Sequence, residues 1–145
     1  MKDIWILNHY ASESGGRHYK FAENLIKRGY SVKVFAASTM HNSEQNRITD
    51  SKKYFYKEFN GIPFIFIKAR DYKGNGKSRV LNMIDYALGL MSISKNFDTE
   101  RPEVIYASSV HPLTWLAGYR LARRYKAKFI AETRDLWPET LVAMG

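Results

Sequence analysis

Short apolar runs alternate with stretches of helical spacing along most of the chain, which is the pattern of an α/β protein. Residues 4–7 and 31–36 predict two strands. The segment between them has one apolar helical face, made of Phe21, Ala22, Leu25 and Ile26. Strand, loop, helix and strand form one βαβ unit, whose strands should be parallel and whose crossover should be right-handed.

The middle of the chain departs from this alternation. Residues 37–53 are almost all polar and show no periodicity, which is typical of a functional lid or a disordered segment. Tyr54–Phe59 and Ile62–Ile67 are β-rich runs on either side of Asn60 and Gly61, a pair that strongly predicts a hairpin turn. Pro63 then predicts that the second run lies at an edge of the sheet or begins later.

The second half repeats the strand and helix pattern. Residues 78–97 predict a long helix whose polar line would face outward, formed by Asn82, Asp85, Gly89 and Ser92. Its core side would be apolar, formed by Val80, Ile84, Ala87, Leu88 and Met91. Residues 103–107 predict a buried strand, and residues 129–131 predict a last buried strand. Between them, Pro112 predicts the first turn of a helix that runs to about Tyr125. The expected fold is an α/β Rossmann-like three-layer sandwich, with a mainly parallel sheet and a hairpin, in a single domain of residues 1–145.

Composition narrows the classes of function. The chain has no cysteine, which excludes disulfides, thiolate metal sites and cysteine nucleophiles. Its 23 Lys and Arg against 14 Asp and Glu favour an anionic partner, although surplus lysine also serves solubility alone. Nucleic acid is disfavoured because the aromatic residues fall in strands and core faces, with no stacking platform among the basic residues.

No apolar run has the length of a signal-peptide core or a spanning helix, so we expect a cytoplasmic protein. The helix after Pro112 carries Leu113 and Leu116 beside Arg120, Arg123 and Arg124 on its outer side. This pattern allows a peripheral contact with an anionic membrane at the inner face of the plasma membrane, or it is an ordinary solvated face.

A glycine pair precedes the first helix. Gly15 and Gly16 place free backbone N–H groups at a helix N-terminus, which suits phosphate, or they only form the turn. His9 and Arg17 flank this loop, and His18 falls on the packed face of the helix. The spacing is not G-x-G-x-x-G, so the dinucleotide fingerprint is absent.

Two further polar groups follow predicted strands. His111 stands before a helix N-terminus, where it faces a ligand or helps to cap the helix. Glu132, Arg134 and Asp135 follow the last strand and form either a ligand site or a structural ion-pair network. Because the carboxyl ends of parallel strands share one edge, we expect both groups on the same rim, where open α/β sheets bind ligands.

These segments resemble a known family. Residues 5–10 (WILNHY), Gly15 with Gly16, and residues 25–34, 108–113 (SSVHPL), 119–122 and 132–141 (ETRDLWPETL) resemble the N-terminal domain of bacterial GT-B-fold retaining glycosyltransferases that build cell-surface polysaccharides. Within that group the resemblance is to amino-sugar transferases of O-antigen (lipopolysaccharide) and capsule assembly.

The resemblance implies an acceptor-binding domain of an enzyme that moves a sugar from a nucleotide sugar to a saccharide or lipid-linked acceptor. It implies no metal and no cofactor. It also implies a C-terminal donor-binding domain that is not in these 145 residues, so the domain described by these residues would be inactive alone. Gly16 would lie near the donor phosphates, and Glu132, Arg134 and Asp135 would line the acceptor side. Asp135 or His111 would orient the acceptor hydroxyl.

Two alternatives remain at the level of sequence. One is a non-catalytic Rossmann-like module that binds an acidic membrane or polymer. The other is half of a sugar-nucleotide epimerase of the same architecture.

Overall fold

A computed structural model of the chain describes residues 2–40, 43–109 and 111–134. The strands are β1 (Asp3–Leu7), β2 (Ser31–Ala37), β3 (Tyr54–Phe59), β4 (Ile62–Ile67), β5 (Val104–Ser109) and β6 (Lys128–Thr133). The helices are α1 (Arg17–Lys27), α2 (Lys77–Ile93) and α3 (Pro112–Tyr125), and a 3₁₀ turn, Ser94–Phe97, continues α2. None of these helices is long and apolar enough to cross a membrane.

In the described residues the six strands form one sheet in the order β3-β4-β2-β1-β5-β6. All neighbours are parallel except the hairpin pair β3 and β4. From β1 the chain moves outward to β2 and the hairpin, and then returns to the other side of β1 to form β5 and β6. The strand order therefore reverses between β1 and β5, which is where ligands bind in open sheets of this kind.

The two faces of the sheet are covered by different helices, as the alternation of β1 shows. Trp5 and Leu7 pack with α2 and α3 in one apolar cluster, and Ile4 and Ile6 pack with α1 in the other. Helix, sheet and helix thus form three layers, and the predicted α/β Rossmann-like class with a mainly parallel sheet and a hairpin is confirmed.

The hairpin has the predicted bounds, but of the two alternatives predicted from Pro63 the edge position was wrong. Asn60 and Gly61 both adopt positive φ, 51° and 78°, as a tight turn between twisted strands requires. The strand that contains Pro63 lies inside the sheet, and its partner β3 lies at the end. Pro63 is tolerated because pairing of β4 with β2 begins one residue later, at Phe64, so its missing N–H leaves no gap in that ladder.

The predicted faces of α2 were wrong in part: Ala87 and Met91 pack against the core and Ser92 is exposed, as predicted, but other positions differ. The buried residues are Asn82, Tyr86, Leu90 and Ile93. Three residues assigned to the core, Val80, Ile84 and Leu88, are 51%, 36% and 65% exposed. The helix carries apolar residues on all of its sides, so their spacing does not define a single buried face. The polar Asn82 turns inward because the sheet edge offers it hydrogen-bond partners.

The prediction that residues 129–131 are buried was wrong as well. Strand β6 exists, but Ile130 is 49% exposed and Ala131 is exposed, because β6 lies at one end of the described sheet. A run of three apolar residues predicts a strand without indicating its place in the sheet.

Gly89 brings α2 close to the sheet and provides a test of this packing. A Cβ at this position would lie 2.1 Å from Cγ2 of Ile67, which is fully buried. We expect Gly89→Ala to lower the free energy of unfolding, because overpacking costs about 1–3 kcal/mol and outweighs the gain of about 1 kcal/mol in helix propensity. Urea denaturation measures the difference.

Ser92→Ala is the matched control, since Ser92 is exposed on the same helix and should gain slightly in stability. A Gly89→Ala variant more stable than the parent chain would contradict the close approach of Gly89 to Ile67.

Candidate functional site

The loops that follow β1 and β5 meet above the point where the strand order reverses. Each carries a buried histidine: His9 is 1% exposed and His111 is 4% exposed. The rings contact each other, with His9 Nδ1 3.0 Å from His111 Nε2. A buried pair of imidazoles at this edge is the centre of the candidate site.

Asn82 of α2 extends this contact across the sheet. Its Oδ1 lies 2.6 Å from His9 Nε2. Its Nδ2 donates to the carbonyl oxygen of Arg70 at 2.7 Å and to Thr39 Oγ1 at 3.0 Å. Thr39 and Arg70 follow β2 and β4, so one polar network joins the loops after four neighbouring strands.

A second buried histidine contact lies beside the first. His18, in the first turn of α1, places Nε2 2.9 Å from Ser108 Oγ at the end of β5. Asn8 Nδ2 donates to the Ser108 carbonyl oxygen at 2.8 Å. These bonds attach both the β1 loop and the start of α1 to β5, which holds the glycine pair next to the histidines.

Two of these imidazoles are neutral at pH 7. Burial lowers the pKa of His111 from 6.5 to about 4, assisted by the charge of Arg79. Burial also lowers the pKa of His18 to about 4, assisted by the charges of Arg134 and Arg17 against the opposing charge of Glu132. A neutral imidazole keeps one nitrogen free to accept a hydrogen bond.

The glycine pair has the backbone conformation that its role requires. Gly15 and Gly16 have φ of 125° and 97°, and a Cβ on either would meet nothing within 4 Å. Gly16 is the N-cap of α1, which has no side-chain cap and no acidic residue in its first turn. The helix N-terminus is therefore open to an anion, as predicted for phosphate contact, and that contact stays a prediction.

Arg17 and Glu132, both predicted as substrate-binding residues, form an ion pair between α1 and β6. Arg134 is exposed, and its backbone N–H donates to the Ser109 carbonyl oxygen at 3.4 Å. The structure thus brings Arg17, Glu132 and Arg134 to the edge that holds His111, although Glu132 pairs with Arg17 on another element. Asp135 lies outside the described residues.

A cavity of about 420 Å³ adjoins this cluster. It is lined by Tyr72, Lys73, Asn75 and Arg79, among others. Arg79 Nη2 donates to the hydroxyl of Tyr10 at 3.3 Å, next to His9, so Arg79 connects the cavity with the histidines.

Sequence reasoning missed Asn8, Asn82 and Ser108. Asn8 and Ser108 stand at strand ends, and that position was the available signal. Asn82 gave no comparable signal, because a polar residue in a helix is expected to face solvent.

Within residues 2–40, 43–109 and 111–134, no group of three or more His, Asp or Glu side chains is arranged to hold a metal ion.

No protein-family model matches the chain, and no curated protein matches it in sequence. Solved structures do resemble it. Sucrose-phosphate synthase from Thermosynechococcus elongatus aligns with 94% of this chain, with a TM-score of 0.63 and 11% identity. MurG from Acinetobacter baumannii aligns with 90%, with a TM-score of 0.50 and 15% identity. The chain spans 34% of the length of each.

Both proteins are glycosyltransferases of the GT-B fold. At such low identity the likeness shows the fold alone: this chain has the architecture of one Rossmann-like half of a GT-B fold.

The neutral histidines predict a stability that depends on pH. Because His18 and His111 have a pKa of about 4 when folded and 6.5 as the ordinary value, the unfolded chain binds protons that the folded chain does not. The contribution of these two neutral histidines to the free energy of unfolding is complete above about pH 6.5 and is lost as the pH falls towards about 4. We expect the urea midpoint to fall across that window, and His18→Gln to flatten the slope.

Asp85→Asn is the control, since the pKa of Asp85 is lowered from 3.8 by its bonds with Arg70 and its contribution is lost below the window. A urea midpoint that stays constant between about pH 7 and pH 4 would rule out two buried neutral imidazoles.

Proposed function

We propose that this chain is the acceptor-side half of a glycosyltransferase that moves a sugar from a nucleotide sugar to a saccharide or lipid-linked acceptor. One observation carries the proposal. His9, His111 and the open N-terminus of α1 lie together at the strand-order reversal of a sheet that has the GT-B architecture. The resemblance of residues 108–113 and 132–141 to cell-surface polysaccharide enzymes favours an amino-sugar transferase of O-antigen or capsule assembly.

Glycosyl transfer makes two demands on such a site. Negative charge on the departing diphosphate has to be stabilised, and an acceptor hydroxyl has to be directed at the sugar carbon. The N-terminus of α1 at Gly16 meets the first demand with free N–H groups and a favourable dipole. His111, buried and neutral, meets the second by accepting a hydrogen bond from the hydroxyl.

The acceptor side would be formed by Arg17, Glu132 and Arg134, with Asp135 after them. The cavity beside Arg79 is large enough to receive part of an acceptor, and the charge of Arg79 also acts on His111. The nucleotide of the donor would be held by a second domain, so we propose that the 145 residues alone do not turn over.

A kinetic assay tests this function. In the natural protein that contains this chain, release of the nucleoside diphosphate is measured over a panel of nucleotide sugars with saccharide acceptors. We expect turnover with one of them, and a fall in kcat of about 100-fold or more in His111→Ala, because a positioned hydrogen-bonding group contributes about 10²–10⁴-fold.

Tyr125→Phe is the matched control, because it removes a hydroxyl at the opposite end of the same helix, where it bonds the Ser94 carbonyl oxygen. Unchanged turnover in His111→Ala would remove His111 from the reaction. Failure of every nucleotide sugar to release its diphosphate would reject the glycosyltransferase assignment.

We also propose a peripheral contact with an anionic membrane. On α2, Leu81, Ile84 and Leu88 are exposed, and on the neighbouring α3, Leu116 is 49% exposed near the exposed Arg120 and Arg123. Both helices cover the same face of the sheet. Apolar groups beside arginines on a chain of net charge +9 suit the surface of a bilayer with acidic headgroups.

Vesicle sedimentation tests this contact. We expect vesicles of phosphatidylglycerol and phosphatidylcholine to retain the chain at physiological salt. The double variant Ile84→Ser with Leu88→Ser should weaken retention by about tenfold or more, since burial of one such side chain contributes about 1.5–3 kcal/mol.

Ile130→Ser is the control, because Ile130 is similarly exposed and is paired in register with Tyr106, which packs on the opposite face of the sheet. Absence of retention, or an equal loss in the control, would reject membrane contact through α2 and α3.

A further inference from the structure

The hydrogen-bond partners of Asn82 determine which nitrogen of each histidine carries its proton. The carbonyl oxygen of Arg70 can only accept, so the group 2.7 Å from it is the amide nitrogen of Asn82. The amide oxygen therefore faces His9, 2.6 Å from Nε2. Since an amide oxygen only accepts, His9 Nε2 carries a proton and donates it.

The same reasoning continues to His111. Burial keeps His111 neutral, so its ring carries one proton. That proton can form a hydrogen bond at Nε2, 3.0 Å from His9 Nδ1, whereas Nδ1 of His111 has no partner among the described residues. The hydrogen bond with His9 therefore places the proton on His111 Nε2. The ring nitrogen that remains, His111 Nδ1, then has a free lone pair, and it is buried.

We propose that His9 and Asn82 are positioning residues that hold His111 in the Nε2–H tautomer, so that its Nδ1 accepts a hydrogen bond from a hydroxyl of the sugar substrate. The inference rests on the proposed function for the nature of the ligand and on the hydrogen-bond geometry for the tautomer. Without this chain of partners an imidazole exchanges freely between its two tautomers, and one of them presents a donor to the hydroxyl oxygen instead.

The network positions the ring without conducting protons away. Its far end is the Asn82 amide, which has no basic site at neutral pH, and beyond it lies a peptide carbonyl. The proton between the two imidazoles is therefore retained. An unpartnered buried lone pair costs about 1–3 kcal/mol, which a bound hydroxyl would recover.

Burial of Nδ1 also limits the ligand group. Because the atom is buried, a donor reaches it only when a neighbouring group moves aside, which suits a small hydroxyl better than a phosphate. Burial, assisted by the charge of Arg79, lowers the pKa of His111, so the lone pair stays free to accept at neutral pH.

Nitrogen-15 spectroscopy of the full chain labelled at histidine measures the tautomer directly, at about pH 7. We expect His111 to show a protonated Nε2 and an unprotonated Nδ1, and methyl glucoside at high concentration to shift the Nδ1 resonance in the direction of hydrogen bonding. Asn82→Leu should turn His111 into a mixture of tautomers while the His18 signals stay unchanged.

Tyr86→Phe is the matched control variant. Tyr86 is one turn further along α2, is equally buried, and donates to the Phe35 carbonyl oxygen at 2.7 Å, so its loss removes a buried bond outside the network. The tautomer of His111 should not change in this variant. In the natural protein, Asn82→Leu should lower kcat by about 10- to 100-fold, the usual effect of removing a partner that orients a functional histidine.

The outcomes separate this inference from the proposed function. A proton on His111 Nδ1 in the unaltered chain overturns the inference, even where the natural protein transfers sugar. An Nε2–H tautomer whose Nδ1 resonance does not respond to the glycoside overturns the hydroxyl contact. An Nε2–H tautomer that responds to the glycoside supports the inference, even if no nucleotide sugar is consumed.

Discussion

The side-chain amide of Asn82 connects most of the edge at which the candidate site lies. It bonds Arg70 after β4, Thr39 after β2 and His9 after β1, and His9 contacts His111 after β5. This is also the order in which those four strands lie side by side in the sheet. Since each of these polar groups is buried or attached to the backbone, none can be removed without leaving a partner unsatisfied, and the loops are thereby held in one arrangement.

The parallel sheet makes this network possible. With β1 paired in parallel to both β2 and β5, the residues that follow these strands emerge at one edge irrespective of their separation in sequence. His9 and His111 are 102 positions apart and still meet within 3.0 Å. Most strand positions carry apolar side chains that pack on both faces, and the polar groups of the candidate site lie at the strand ends and in the loops that follow them.

The sequence predicted those parts of the molecule that depend on local patterns. The hairpin at Asn60 and Gly61, the alternating strands and helices and the placement of His111 at a strand end all follow from short-range periodicity and turn chemistry. The orientation of α2 could not be predicted in this way, because the helix carries apolar residues such as Leu88 on all of its sides. Only its docking on the sheet selects Asn82 for the inner face. The pairing of Glu132 with Arg17 was equally inaccessible, since it depends on the distance between α1 and β6.

The inward orientation of Asn82 and the outward orientation of Ile84 and Leu88 have one cause. A helix that turns a polar residue towards a hydrogen-bonding network has to turn its opposite side towards solvent, and in α2 that side is apolar. Exposure of this side loses burial worth about 1.5–3 kcal/mol for each large side chain, and the burial of Tyr86, Leu90 and Ile93 on the other side offsets that loss. These three residues are buried on the same side of the helix as Asn82, so apolar packing and the hydrogen-bond network select one orientation together.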